Sequence, residues 1–202
     1  MTTVIDYKAG NLASVRLAFG ALGEEVCVTS DPAAIRRATR LVFPGVGAAG
    51  AAMQTLRSAG LDTLIRERVA SGVPFLGICL GMQILFDFSE EDGGVPTLGI
   101  LPGRVVRFRP SAFKIPHMGW NEAVQKRAHP LLAGIPDKSH FYFVHSYHPV
   151  PDNDGDIVCR TSYNDVTFAS MVSRANVAAT QFHPEKSGEA GLRILRNFLT
   201  NS

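Results

Sequence analysis

Cysteine is scarce in this chain: Cys27, Cys79 and Cys159 are the only three in 202 residues, far apart and without CxxC spacing. An odd, scattered set argues against a disulfide framework and against a thiolate metal site. Long apolar runs are missing as well. No stretch approaches the roughly 18 continuous apolar residues of a membrane helix, and the opening Met1-Thr2-Thr3-Val4-Ile5-Asp6-Tyr7 has neither the basic segment nor the apolar core of a signal peptide. The expectation is a cytoplasmic protein. Strong charge is absent too: a net charge of +2 gives no nucleic-acid surface, and Arg36-Arg37 and the arginines of residues 104–109 read as solvated faces. No GxxxxGK[ST] phosphate loop and no P-C-x-x-C zinc partner occur, so neither a cofactor nor a metal is indicated.

What is present is apolar content of 46%, enough for one substantial core, so residues 1–202 are expected to form a single domain. Short apolar runs alternate with helical patterns. Residues 3–5 read as a strand, Leu12, Val15, Phe19 and Leu22 mark a helix, and residues 26–29 a second strand. Asp31-Pro32 is a cap and first helical residue, followed by a strand at 41–43 and helices at 48–56 and 61–69. Val73, Phe75, Leu76 and Ile78 form another strand, with a helix over residues 80–86. This βα alternation predicts an α/β fold with a mainly parallel sheet covered on both faces. Residues 98–179 differ, with short alternating runs broken by Pro, Gly, Asn and Asp, which predicts antiparallel strands; Val106 and Phe108 alternate there with Arg107 and Arg109. Ile194, Leu195, Leu199 and their neighbours close the chain with an amphipathic helix.

The chemistry centres on Gly77-Ile78-Cys79-Leu80-Gly81-Met82-Gln83. G-x-C-x-G after a strand is the thiol form of the nucleophile elbow, with glycines that permit a sharp bend and a thiol at a helix start, where its thiolate is favoured. A thiolate that attacks a carbonyl needs a base that can protonate the leaving group. Among six histidines, His183 follows the apolar run 177–182 and precedes Pro184-Glu185. In extended geometry Glu185 would share its side of the chain and hold the ring; His145 and His148 are rivals without a carboxylate so near. The amide of Leu80 and the turn Pro44-Gly45-Val46-Gly47 are candidate oxyanion donors. The same turn reads Gly45-x-Gly47-x-x-Gly50, a dinucleotide fingerprint, but on a third strand and with no acidic strand end at the expected spacing.

These motifs, in this order and over nearly the whole chain, resemble the class I, triad-type glutamine amidotransferase family. Within it, Asp6-Tyr7-Lys8-Ala9-Gly10-Asn11-Leu12, Pro116-His117-Met118-Gly119-Trp120-Asn121, Tyr142-Phe143-Val144-His145-Ser146-Tyr147 and Lys186 resemble the glutaminase subunits of imidazole glycerol phosphate synthase. Lys8 departs from the pattern, standing where many such subunits have glycine or a small residue. The resemblance implies a three-layer fold and a triad of Cys79, His183 and Glu185 that hydrolyses glutamine through a cysteinyl thioester. Val46, Gly47 and Leu80 would hold the oxyanion, and Gly47, Gln83, Glu91, Ser146 and Tyr147 the glutamine. It further implies a (β/α)8-barrel synthase subunit as partner in a heterodimer, fed with ammonia for imidazole glycerol phosphate and aminoimidazole carboxamide ribotide formation in histidine biosynthesis. Asn11, Met118, Trp120, Tyr142 and Lys186 are candidates for the docking face, where exposed aromatic residues suit an interface core. Three alternatives stay open: a glutaminase for anthranilate, aminodeoxychorismate or pyridoxal phosphate synthesis, a regulatory subunit without catalysis, and a dinucleotide binder.

Overall fold

The computed structural model describes residues 1–8, 11–109 and 114–200. Its first part alternates strands β1 (Thr2–Ile5), β2 (Cys27–Thr29), β3 (Arg40–Phe43) and β4 (Phe75–Ile78) with helices α1 (Leu12–Ala21), α2 (Pro32–Arg37), α3 (Ala49–Ser58) and α4 (Leu61–Ala70), ending in the short helix α5 (Leu80–Gln83). Strands then dominate: β5 (Phe88–Ser89), β6 (Val95–Pro96), β7 (Gly103–Arg107), β8 (His117–Gln125), β9 (Ser139–His145), β10 (Tyr147–Pro151), β11 (Ile157–Tyr163), β12 (Val166–Arg174) and β13 (Val177–Thr180), before helix α6 (Gly188–Thr200). The predicted start of α2 is realised, since the Asp31 carboxylate accepts the Ala33 and Ala34 amides at 3.0 and 3.3 Å and Pro32 begins the helix.

Nine strands form one mixed sheet in the order β2-β1-β3-β4-β13-β12-β11-β8-β9. Pairing is parallel from β2 to β13 and antiparallel from β13 to β9, so the antiparallel region extends the central sheet. Strands β10, β7, β5 and β6 make a second sheet; in β7 Gly103 and Val105 are buried and Val106 is half-buried, and that strand ends at Arg107, one residue short of the buried Phe108. Side chains of the parallel strands alternate between two buried layers. Ile5, Phe43 and Phe75 pack with Met53, Leu56, Leu64 and Ile65 of α3 and α4. Val4, Val42 and Leu76 pack with Val15 and Phe19 of α1 and with Ile194, Leu195 and Phe198 of α6. Helices therefore cover both faces, the arrangement that near-continuous apolar strands require.

The helix expected over residues 80–86 stops at Gln83. The amides of Leu98, Gly99, Ile100 and Leu101 take the carbonyls of Ile84, Phe86 and Leu85, and the Thr97 hydroxyl donates to Phe86 O. Those carbonyls would otherwise serve the next helical turn. His183-Pro184-Glu185 is also not extended: Pro184–Lys186 is a 3-10 turn with His183 at its cap. Proline at the first helical position favours such a turn.

The carboxyl ends of the parallel strands converge. Tyr7 follows β1, Pro44 to Gly47 follow β3, Cys79 follows β4, and His183 follows β13. In open α/β sheets this edge is where ligands bind.

Candidate active site

Cys79 takes φ 52° and ψ −104°, a conformation outside the regions that non-glycine residues favour and one that costs on the order of 1–3 kcal/mol. The surrounding structure holds it there: the Cys79 amide donates to Thr180 O of β13 at 2.7 Å, and its carbonyl accepts the Met82 and Gln83 amides. Close approach of backbone completes the elbow. A Cβ on Gly81 would lie 2.1 Å from Phe43 O, one on Gly77 2.5 Å from Gly81 O, and one on Gly45 2.5 Å from the Leu80 Cβ. Glycine at these three positions lets the Pro44 turn seat directly on the elbow.

His183 is fixed by its neighbours before its ring does anything. Its amide donates to Tyr142 O of β9, and its carbonyl accepts the Ser187 hydroxyl at 2.6 Å. The 3-10 turn then brings Glu185 back beneath the ring, Nδ1 to Oε1 2.8 Å, with both side chains wholly buried. Asn11 Nδ2 donates to the same carboxylate oxygen at 2.5 Å. A carboxylate accepts, so Nδ1 carries the proton of the neutral ring and Nε2 is left as the base. Nε2 is buried and, among the described residues, has no partner at hydrogen-bonding geometry. Burial, the largest single effect, lowers the His183 pKa, but Cys79 and Glu185 together outweigh it and raise it.

A cleft of about 290 Å³ opens over the sulfur, lined by Val46, Gly47, Cys79, Leu80, Gln83, Glu91, Ser146 and Tyr147 among others. Every residue that the resemblance assigns to the oxyanion or the glutamine therefore borders one space. Glu91 is half-buried instead of solvated: its Oε2 accepts the Ala49 amide at 2.7 Å, capping α3, and burial raises its pKa. Asp92 takes the Gly50 amide at 3.1 Å. Those two carboxylates occupy the amides on which a pyrophosphate would sit, and the Gly45 space is filled by Leu80, so the glycine fingerprint here serves the elbow.

The rival bases are spent on structure. His145 Nδ1 meets Tyr147 O at 2.7 Å, its Nε2 meets His117 Nδ1 at 2.9 Å, and burial holds its pKa well below the ordinary value. His148 is buried, with its pKa also lowered by burial. Cys159, wholly buried, has its thiol pushed up to about 12 by that burial, the state of an inert cysteine.

Residues 3–202 match the family model described as glutamine amidotransferase class-I. The chain belongs to this family. Class-I amidotransferase relatives include the imidazole glycerol phosphate synthase subunit HisH of Nitrosococcus oceani, 53% identical over 98% of this chain and 95% of that protein. The subunit of the same name from Methanothermobacter thermautotrophicus is 49% identical over 98% of each chain. Among solved structures, a glutamine amidotransferase aligns over 98% of this chain and 97% of its own, with a TM-score of 0.75 at 22% identity. PurLQS from Thermotoga maritima aligns over 99% and 97%, with a TM-score of 0.77 at 19% identity. Those two likenesses establish the class-I amidotransferase fold.

Of the proposed docking residues, Met118 and Trp120 are 61% and 57% exposed, which rules out a place in the core. Trp120 meets the Tyr142 ring edge-on at 6.3 Å, and the Lys186 ammonium lies 5.8 Å from the centre of that ring. These residues form one patch beside the triad. Asn11, half-buried, donates its amide to Glu185 of the triad. Two residues at the site went unread in the sequence. Gln181, wholly buried, donates from Nε2 to Cys79 Sγ at 3.6 Å. Its signal was a polar residue inside an otherwise apolar run. Tyr7 donates its hydroxyl to Val46 O at 3.3 Å while stacking on Phe43, and nothing in the sequence tied these together.

Proposed function

We propose that this chain is the glutaminase subunit of an imidazole glycerol phosphate synthase, with Cys79, His183 and Glu185 as its catalytic triad. The observation that carries the reading is the strained Cys79 bordering a cleft, beside a buried His183 whose Nδ1 is locked on Glu185 and whose Nε2, among the described residues, makes no hydrogen bond. The relatives at about half identity bear that subunit's name over nearly their full length.

The Cys79 thiolate attacks the side-chain amide carbon of glutamine, and the carbonyl π electrons move to oxygen. Protonated His183 gives its Nε2 proton to the amide nitrogen, the C–N bond breaks, and ammonia leaves a γ-glutamyl thioester. Water then loses a proton to Nε2 as its oxygen bonds to the thioester carbon. Collapse expels the thiolate and yields glutamate. The oxyanion of both tetrahedral states falls to the amides of Leu80 and Gly47. Tyr7 supports the second donor. Its hydroxyl donates to the Val46 carbonyl, the other end of the same peptide unit, and so steadies that amide. Gln83, Glu91, Ser146 and Tyr147 border the space for the substrate.

Ammonia freed into neutral water is mostly protonated and no longer nucleophilic, so a dedicated acceptor is needed. A (β/α)8-barrel synthase subunit in a cytoplasmic heterodimer fits that need, and Met118, Trp120, Tyr142 and Lys186 are the proposed docking patch. The decisive variant is Cys79→Ala in the mixed complex: glutamine-dependent synthesis is expected to vanish while synthesis from ammonium salts persists. Glutamine hydrolysis retained by that variant would overturn the triad.

A further inference from the structure

Beside His183, two protein contacts of the Cys79 sulfur make opposite demands on it. Val144 O lies 3.9 Å away and accepts the proton of a neutral thiol, whereas Gln181 Nε2 lies 3.6 Å away on the other side of the exchange and donates. Which end of the Gln181 amide faces the sulfur follows from the residues behind it. Gln83 Nε2 donates to Tyr147 O at 2.9 Å, and a backbone carbonyl only accepts, so the nitrogen end of Gln83 is fixed. The second hydrogen of that same nitrogen reaches Gln181 Oε1 at 3.1 Å. The oxygen of Gln181 is thereby held on Gln83, and its nitrogen must face the thiol. Both amides are buried, at 0% and 5% exposure, where an unmet polar group is costly and a wrong orientation would set donor against donor.

We propose that Gln181 is a further catalytic residue, donating from its oriented side-chain amide to the Cys79 thiolate and so favouring the nucleophilic form of the sulfur. A neutral thiol is a poor acceptor and a thiolate a strong one, so the contact stabilises the anion over the acid. It supplies locally what a helix of only four residues, Leu80–Gln83, does not offer through an extended dipole. Gln181 does not line the cleft, so its effect is expected on the reactivity of sulfur and not on the fit of substrate. Gln83 acts through Gln181 as its positioning residue. This inference rests on the glutaminase reading for its role in turnover, but the state of the thiol is measured without turnover.

The test is alkylation of Cys79 by iodoacetamide in the full chain with its synthase partner, followed by mass spectrometry of the Cys79 peptide. Gln181→Met keeps the volume and removes the donor. A hydrogen bond to a charged group contributes on the order of tenfold or more in an equilibrium. Alkylation near neutral pH is therefore expected to slow about tenfold, and the deficit to close at strongly alkaline pH, where the thiol ionises regardless. In the same complex kcat for glutamine should fall with little change in KM. Gln181→Glu, which keeps the length and sets an acceptor at the sulfur, should slow alkylation further and serves if the Met variant folds poorly. Alkylation at the wild-type rate, or slowed equally at all pH, would overturn the proposal. Failure of the glutaminase reading looks different: wild-type chain fully alkylated at Cys79 would still hydrolyse glutamine.

Discussion

The two halves of the nine-stranded sheet contribute to the site in different currencies. The parallel half, β2 to β13, delivers backbone: a strained elbow, a glycine-rich turn seated on it, and the start of the His183 turn, all at one edge of the sheet. The antiparallel half, β12 to β9, delivers side chains: His145 at the wall of the cleft, and Met118 and Trp120 exposed to solvent. Backbone of the first kind has no room for an added atom at Gly45, Gly77 or Gly81, whereas the second half leaves Met118 and Trp120 exposed. The lesson is that close approach of chain to chain shapes the elbow, while the proposed docking patch is what a meander leaves exposed.

The contrast is broken most severely at Gly81. Ala there places a Cβ 2.1 Å from Phe43 O, so the elbow and the Pro44 turn must separate. Misplacement on the order of 1 Å costs about a hundredfold in rate, and glutaminase assays beside thermal melts should show at least that loss with lowered stability. Trp120→Ala probes the other half. Titration of the labelled barrel subunit is expected to give a Kd about thirtyfold weaker, the effect of truncating an aromatic anchor, with near-normal kcat at saturating partner. Tyr7→Phe sharpens the role of the turn: losing one hydrogen bond on Val46 O should lower kcat about tenfold and leave the fold intact, read by steady-state kinetics and circular dichroism.

A smaller effect distinguishes the halves by pH. Burial pushes the pKa of His117 and of His129 down to about 4, against an unfolded value near 6.5. Between those values the unfolded chain binds protons that the folded chain refuses, so stability should fall as pH drops from about 6.5 to about 4 and level off below. His117→Asn should flatten that slope in urea titrations. The smallest change returns to the parallel half. Lys8 adopts φ 64°, the left-handed region that glycine occupies at little cost. Lys8→Gly is expected to add up to about 1 kcal/mol of stability, raising Tm by a few degrees.

Much of the parallel half was readable before any coordinates, because buried parallel strands announce themselves as apolar runs and the elbow places two glycines at fixed offsets from Cys79. The alternation of Val4 with Ile5 and of Val42 with Phe43 carries that half of the fold. His183 and Glu185 were legible as a pair although the extended geometry that suggested it was wrong; a proline-started turn achieves the same contact. The end of α5 was not legible, since the carbonyls that stop it are taken by residues 97–101, far along the chain from the elbow. Gln181 and Tyr7 were hidden for the same reason. Each acts through a contact made across the sheet edge, and local sequence holds no record of the partner. Met118 and Trp120 face solvent through the register of β8 on β9, which no local pattern states.

The central claim, that Cys79 makes ammonia for a second protein, is tested most directly by measuring glutamate release from glutamine by this chain alone and after addition of a barrel synthase subunit with its ribotide substrate. Slow hydrolysis alone, rising severalfold or more in the complex and abolished by Cys79→Ala, is the expected result. Fast hydrolysis by the isolated chain that the synthase leaves unchanged would contradict it.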